Sequence, residues 1–588
     1  MSDTLSFLPD FDSLVEPAPK NRIQALIVRY SVDKSTLQRK YPLKLSPLCT
    51  ERMKRFLDDW TSLLDGDRIE FESLRHDERI DFVLFRNHLA EERRGIDLRA
   101  AKEAEMAALL PFAPAIIALE EARITFDWAE PEAAAGLLDA IATQIEAASE
   151  AIRGIEQGIR DFAAVKTTVA NRAAESAAYL QKTLKGWYDF YFGFQPMFTW
   201  WAEAPYKAVD AQLAAYAELI RKALIKAPAA TAGKDTGEDI IGDPIGREAL
   251  LEYLRLEMIA YSPEELIEIA EKELAYCEGE LRAASRELGF GDDTAAALEH
   301  VKRLHPLPGG QADYVKSLAL EAVDYLDKHD LVTIPDLARE VWRLCMMSPE
   351  MQLVNPFFLG GEMIYVSYPT HTMSHNQKLM SMRGNNAHFS RATVQHELIP
   401  GHHLQFFQLG RHHTYREPFQ TPFWIEGWTI YWELLLYSRG FAAKPEDRIG
   451  MMFWRIHRCV RIIFSLGFHL EKLTPAECIE LLVNRVGHER ANAIAEVRRS
   501  CGDAYPPLYQ AAYLIGGLQM WALRREFVLT GKIAERDFHD AVVRGGCIPM
   551  EMVRANLTQS EIDRNFESSW RFYADPEIAY PSGDKAKS

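Results

Sequence analysis

The sequence predicts a mainly α protein, a large helical fold with one small β hairpin or sheet beside a helix that carries a His–Glu motif. Three observations lead there. Long stretches place apolar residues at three- and four-residue spacing, from about Ala133 to Ile159, Val209 to Ile225 and Pro263 to Leu288, the period of a helix with one buried face. Several such stretches open on legible start signals, because Ser262-Pro263-Glu264-Glu265, Thr474-Pro475-Ala476-Glu477 and Thr558-Gln559-Ser560-Glu561 read as capping boxes, whose hydroxyl and later glutamate satisfy free backbone N–H groups. Only MQLVNPFFLGGEMIYVSYPT, residues 351–370, alternates and clusters β-branched and aromatic residues around a Gly-Gly pair, which marks the short hairpin or sheet.

Along the chain, residues 1–588 read as one catalytic unit. Residues 1–226 form a helical N-terminal part suited to a lid or cleft wall, and 247–575 carry the motifs described below. Between them APAATAGKDTGEDIIGDPIG, residues 227–246, is small, polar and glycine-rich, a flexible surface loop of a length often found near function. No internal repeat is visible.

Composition narrows the functional classes. Apolar residues make up 48% and charged residues 26% of the 588, the mix of a soluble globular chain. A net charge of -18 without a long lysine–arginine run argues against nucleic acid as a partner. The N-terminus MSDTLSFLPDFDSLVEPAPK has acidic residues where a signal peptide carries basic ones, and no apolar run reaches bilayer length, so no membrane partner is expected. Seven cysteines, at 49, 277, 345, 459, 478, 501 and 547, form no CxxC pair and suit a reducing, cytoplasmic setting.

The informative stretch is QHELIPGHHLQ, 395–405. In HExxH two histidines four apart share one helical face and one zinc, and the glutamate polarises a water. Here the fourth position after His396 is Pro400, which has no N–H and whose ring clashes with the carbonyl of His396. In an undistorted helix His402 lies about 240° around from His396, and His403 returns to the same face roughly 10 Å further along. If Pro400-Gly401 bulges out as two extra residues, His402 falls where the second ligand belongs, and glycine tolerates such a bulge. His396 and His402 are therefore the expected ligands, with His403 the alternative second ligand and otherwise a supporting or substrate-binding group. Downstream, PFWIEGWTIYWELLLYSRG places Glu426 in the first turn of an apolar helix and Glu433 two turns later. A carboxylate there is costly to bury unless it is paired or binds a metal, which makes Glu426 the third ligand and Glu433 a partner for a ligand histidine.

With these motifs the chain resembles the DUF885 family, bacterial proteins treated as zinc metallopeptidases of the gluzincin type. The resemblance is carried by HELIPGHHLQ (396–405), IEGWTIYWE (425–433), RCVRIIFSLGFH (458–469), EVRR (496–499), AAYLIGGLQMWALR (511–524) and FHDAVVRGGCIPMEMV (538–553), with a weaker upstream match over 246–274. It implies a mainly helical catalytic unit with a deep cleft and a zinc held by two histidines and a glutamate. Two positions depart from the family pattern: Ser465 stands where an aspartate is usual, and Ser500 where a tyrosine is usual. The resemblance also implies Tyr513, a tyrosine in a glycine-containing helix, as an oxyanion donor; a packed core tyrosine is the alternative.

The expected chemistry is amide hydrolysis, with Glu397 taking a proton from zinc-bound water and returning it to the leaving amine. Arg458, Arg461, Arg499 and Arg524 lie at the edges of apolar helices and are candidates for a substrate carboxylate or for structural ion pairs. The segment 360–368 offers an edge for an extended substrate, and His371, His375 and His388 are candidates to line the cleft. The first reading is a cytoplasmic zinc metallopeptidase acting on short peptides as an exopeptidase. The second is a zinc amidohydrolase on a small amino-acid conjugate, and the third a catalytically silent metal- or ligand-binding protein.

Overall fold

The computed structural model describes residues 21–66, 68–156, 165–225, 237, 240–354, 357–502 and 505–576. Helices dominate these residues, with one two-stranded sheet. The chain divides into two compact units, one made of the described parts of Met1–Ile27, Phe71–Phe85 and Asp243–Ser588, the other of Val28–Glu70 and Arg86–Gly242.

The second unit is a helical bundle built by the periodicity seen in its sequence. Helices Pro131–Glu156, Thr167–Tyr191 and Pro196–Ile220 pack together. Their shared core takes Leu138, Ile141 and Ile145 from the first, Ala173, Ala177, Leu180, Leu184 and Trp187 from the second, and Val209, Leu213 and Tyr216 from the third. Those three- and four-residue steps define one face per helix, and each large aliphatic side chain buried there contributes about 1.5–3 kcal/mol. The helix expected over 209–225 is the end of Pro196–Ile220, continued by a π turn over Arg221–Ile225. Most of the 227–246 loop lies outside the described residues, and helix Gly246–Leu256 starts at its last residue.

The first unit carries the motifs. Its framework is α1 (Pro263–Glu287), α2 (Ala387–Glu397), α3 (His402–Leu409), α4 (Pro422–Ser438), α5 (Pro445–His469), α6 (Arg490–Cys501) and α7 (Tyr509–Phe527). The capping boxes at Ser262 and Thr474 are present. That at Thr558 is not: helix Met550–Thr558 ends there, the Thr558 hydroxyl donates back to the carbonyls of Arg554 and Ala555, and Gln559 is left-handed at φ 54°. The hydroxyl closes a helix instead of opening one.

α5 runs through the middle, buried at every position from Ile449 to His469. It packs against α1, α2 and α7. α4 lies along α7, and the approach is set by glycines: a Cβ on Gly516 would stand 2.0 Å from the Phe423 carbonyl oxygen, and one on Gly427 would stand 2.6 Å from the Gly516 carbonyl carbon. No side chain fits between these backbones.

The sheet pairs β1 (Arg343–Met346) with β2 (Met363–Val366) in parallel, Arg343 opposite Met363 and Met346 opposite Val366. The hairpin or small sheet expected within 351–370 is present as an antiparallel bridge between Leu359 and Tyr365 around Gly360-Gly361 and as β2, whose partner strand lies upstream across a connection that includes a short helix, Pro349–Val354. RLCM, the partner strand, is too short to show a period of its own. Ile364 and Val366 of β2 pack on Val394 of α2 and on Leu398, within one small core that also takes Val315 and Leu318. That packing seats the Gly360-Gly361 segment on the end of α2.

Candidate metal centre

α2 starts at an Asn386 cap, whose side chain accepts from the N–H groups of His388 and Phe389, and it ends at Glu397. The expected bulge in a continuous helix is instead a full break. Residues 398–401 turn, with a cis peptide between Ile399 and Pro400, and α3 begins at His402. Pro400 has no N–H to continue the helix. The Gly401 N–H donates to the Gln395 carbonyl at 3.0 Å, and a Cβ on Gly401 would lie 1.8 Å from the His396 carbonyl oxygen. Only glycine permits that approach. The indole of Trp428 donates to the Pro400 carbonyl at 2.7 Å and ties the turn to α4.

The break brings His396 and His402 to one point, and α4 brings Glu426 to it. His396 Nε2 lies 3.7 Å and His402 Nε2 3.5 Å from Glu426 Oε2, and the three donor atoms are all within 4.8 Å of one another. Two donors bound at about 2.1 Å to a tetrahedral ion stand about 3.4 Å apart. All three residues are buried, and Glu426 Oε2 has no hydrogen-bond partner among the described residues. A buried carboxylate oxygen without a donor needs a cation.

The surrounding groups fix the tautomers. His396 Nδ1 faces Glu433 Oε1 at 2.7 Å, and His402 Nδ1 faces Gln405 Oε1 at 3.0 Å. The Gln405 amide donates to the Ile425 carbonyl at 2.9 Å, which turns its oxygen toward His402. Each imidazole thus donates through Nδ1 and keeps the Nε2 lone pair for the centre. Tyr509 donates to Glu426 Oε1 at 2.6 Å and leaves Oε2 for the triad. Burial disfavours charge on His396, but Glu426 and Glu433 outweigh it and push its pKa up to about 9. Burial raises the Glu426 carboxyl, yet His396 and His402 bring it well below the usual range. Carboxylates that pull a proton onto a buried imidazole make a site that favours positive charge.

Glu397 is buried beside the triad, and burial raises its carboxyl above the ordinary range against the pull of His396 and His402. Gly360 lies directly on it: a Cβ there would stand 2.1 Å from Glu397 Oε2. The segment leading into β2 therefore passes over the catalytic candidate by backbone alone.

The other anticipated residues fall in different places. His403 stands outside the triad, its Nε2 donating to the Ala338 carbonyl at 2.7 Å. Tyr513 stacks near His396, ring centroids 6.4 Å apart. Arg458 and Arg461 flank the Tyr513 ring at 4.9 and 4.5 Å. Arg461 Nε lies 2.7 Å from Glu496, which also pairs with Arg499. Arg524 is held by Glu535 at 2.7 Å, away from the triad's partners. His388 bonds Asp447, while His371 and His375 are exposed. Ser500 is buried and satisfied, accepting from Gln510, whereas the buried Ser465 hydroxyl has no partner among the described residues. Tyr509 and Gln405 were not anticipated, and Gly360 was anticipated only as part of the 360–368 edge, not as a contact of Glu397. Gln405 was legible as the residue one turn after His402, and Tyr509 as the residue one turn before Tyr513.

The chain has the fold of two solved bacterial structures. One, from Shewanella oneidensis, is provisionally described as a lipoprotein of unknown function; it is 17% identical with a TM-score of 0.63, over 92% of this chain and 100% of that one. The other, from Colwellia psychrerythraea, is likewise provisionally described as a lipoprotein, at 15% identity and a TM-score of 0.56, over 92% of this chain and 98% of that one. No curated protein matches. Residues 38–557 match the family described as "Bacterial protein of unknown function (DUF885)", and the chain belongs to that family.

Proposed function

We propose that the protein is a zinc-dependent metallopeptidase that hydrolyses amide bonds in short peptides as an exopeptidase. The observation that carries this reading is the buried His396–His402–Glu426 triad with Glu397 next to it in sequence and in space. His396, His402 and Glu426 would hold the metal, and a bound zinc supplies Lewis acidity that makes water acidic and stabilises negative charge on a carbonyl oxygen. Glu397 takes a proton from the attacking water as the new C–O bond forms. It then delivers that proton to the amine nitrogen as the C–N bond breaks. Tyr513, beside His396, is the hydroxyl donor for the oxygen that gains charge.

The test measures bound metal in protein purified without added metal, then turnover of dipeptides and tripeptides by wild type and E397Q. Zinc at one equivalent is expected, and E397Q should keep the metal while losing roughly 10²–10⁴-fold in rate, the usual contribution of a positioned base. Absence of metal, or unchanged turnover in E397Q, would overturn the reading.

A further inference from the structure

α5 carries three buried arginines one helical turn apart, Arg455, Arg458 and Arg461, exposed by 4, 5 and 3%. Two have close carboxylate partners: Arg455 lies 2.6 Å from Glu273 of α1, and Arg461 lies 2.7 Å from Glu496 of α6. Arg458, between them, does not. The carboxylate nearest to it is Glu433 at 3.8 Å, and the Glu433 oxygen in question is the one engaged by His396. Arg458 Nε has no hydrogen-bond partner among the described residues. Its guanidinium also lies over the ring faces of Trp454 at 5.3 Å and Tyr513 at 4.9 Å.

Burying a guanidinium costs several kcal/mol unless a hydrogen-bonded anion compensates it. Ring faces recover only about 0.5–2 kcal/mol of this. Neighbouring Arg461 and Arg499 share one glutamate, Glu496. The side chain of Arg458 retains 6% of its surface. Glu433 links it to His396, its Oε1 standing 3.8 Å from Arg458 and 2.7 Å from His396 Nδ1.

We propose that Arg458, with Arg461 beside it across the Tyr513 ring, is the receptor for a carboxylate of the substrate. The planar fork of arginine holds a carboxylate through two parallel hydrogen bonds, and such charge-assisted pairs are the strong ones. A peptide residue spans roughly 3.5 Å, so a carboxylate held here belongs to the residue that follows the cleaved bond or to the next one. The free α-carboxylate of a short peptide satisfies this directly. The enzyme would then remove residues from the carboxyl end. This deepens the peptidase reading by naming the group that anchors the substrate, and rests on that reading only in taking the carboxylate to be a peptide's.

Binding in the E397Q background tests it without turnover. The probes are acetyl-trialanine, its C-terminal amide, and acetyl-Ala-Glu-Ala-amide, titrated by calorimetry against E397Q, E397Q/R458Q and E397Q/R458K. The free acid is expected to bind about tenfold or more tightly than the amide, the size of one charge-assisted pair. That preference should vanish in R458Q and be reduced in R458K, with metal content unchanged. Tight binding of the glutamyl amide, lost in R458Q, would instead identify the carboxylate as a side chain and support the receptor. Equal binding of all three probes, a preference that survives R458Q, or no binding at all would overturn it. Wild-type turnover of the same peptides is read separately, so loss of the peptidase reading and loss of the carboxylate receptor have different signatures.

Discussion

His402 and His403 are adjacent, alike and both buried, yet they do different work. Residue identity does not separate them; the phase of the new helix does. α3 starts at His402 because Gly401 turns the chain there, and this points His402 Nε2 at Glu426 and His403 Nε2 at the Ala338 carbonyl. H402A is therefore expected to abolish metal binding with the fold intact. H403A should keep the metal and lose about 1–3 kcal/mol of stability, the cost of leaving a buried carbonyl unpaired. Metal analysis and denaturant melts of both variants decide the matter, and the reverse pattern would reassign the ligand. The sequence favoured His402 and kept His403 as the alternative, because ideal helix geometry has no account of a break. The choice of Glu426 was legible: a carboxylate in an otherwise apolar turn has few other uses.

At the level of helices, the site depends on how closely α4 lies on α7. Glu426 comes from α4, and Tyr509, which holds its second oxygen, comes from α7. The glycines of EGW and LIGG make that contact possible, since backbone meets backbone at Gly427 and Gly516. G516A discriminates between local and tertiary effects. Helix propensity alone predicts stabilisation by about 1 kcal/mol, because alanine is the better helix former. The Cβ contact of 2.0 Å with the Phe423 carbonyl predicts the opposite, a loss of about 1–3 kcal/mol as the helices are pushed apart. Metal affinity should fall by roughly 10–100-fold, as when a group that orients a ligand is displaced. Thermal melts and metal titration of the variant read both quantities. The apolar periods of α1 and of the bundle helices were visible in the sequence, but the parallel β1–β2 pair was not. A four-residue strand has no period to read, and its partner lies 20 residues away.

Over the whole first unit, buried neutral histidines tie stability to pH. His488 shares a 2.8 Å hydrogen bond with His457, and burial holds its pKa at about 3. His539 accepts from the Tyr431 hydroxyl and donates to the Leu331 carbonyl, both at 2.6 Å, and burial lowers its pKa to about 4. Both folded values lie below the unfolded 6.5, so the unfolded chain takes up more protons as pH falls. The stabilising contribution is complete above pH 6.5 and is lost as pH drops toward 4 for His539 and 3 for His488. At pH 5 each histidine costs about 2 kcal/mol. H539Q should therefore lose about 2 kcal/mol less than wild type between pH 7 and pH 5, measured as the difference in urea-unfolding free energy; equal losses would contradict the assignment. By itself the sequence determined the helical class, the place of its main helices though not the start of Pro196–Ile220, and the chemical types at the centre, because hydrophobic period and donor chemistry are local properties. Only the tertiary structure decided which histidine faces Glu426, that Gly360 lies on Glu397, and that Arg458 alone of its row lacks a close carboxylate partner. Those are relations between backbones that approach within a few ångströms from distant parts of the chain, and no local pattern encodes them.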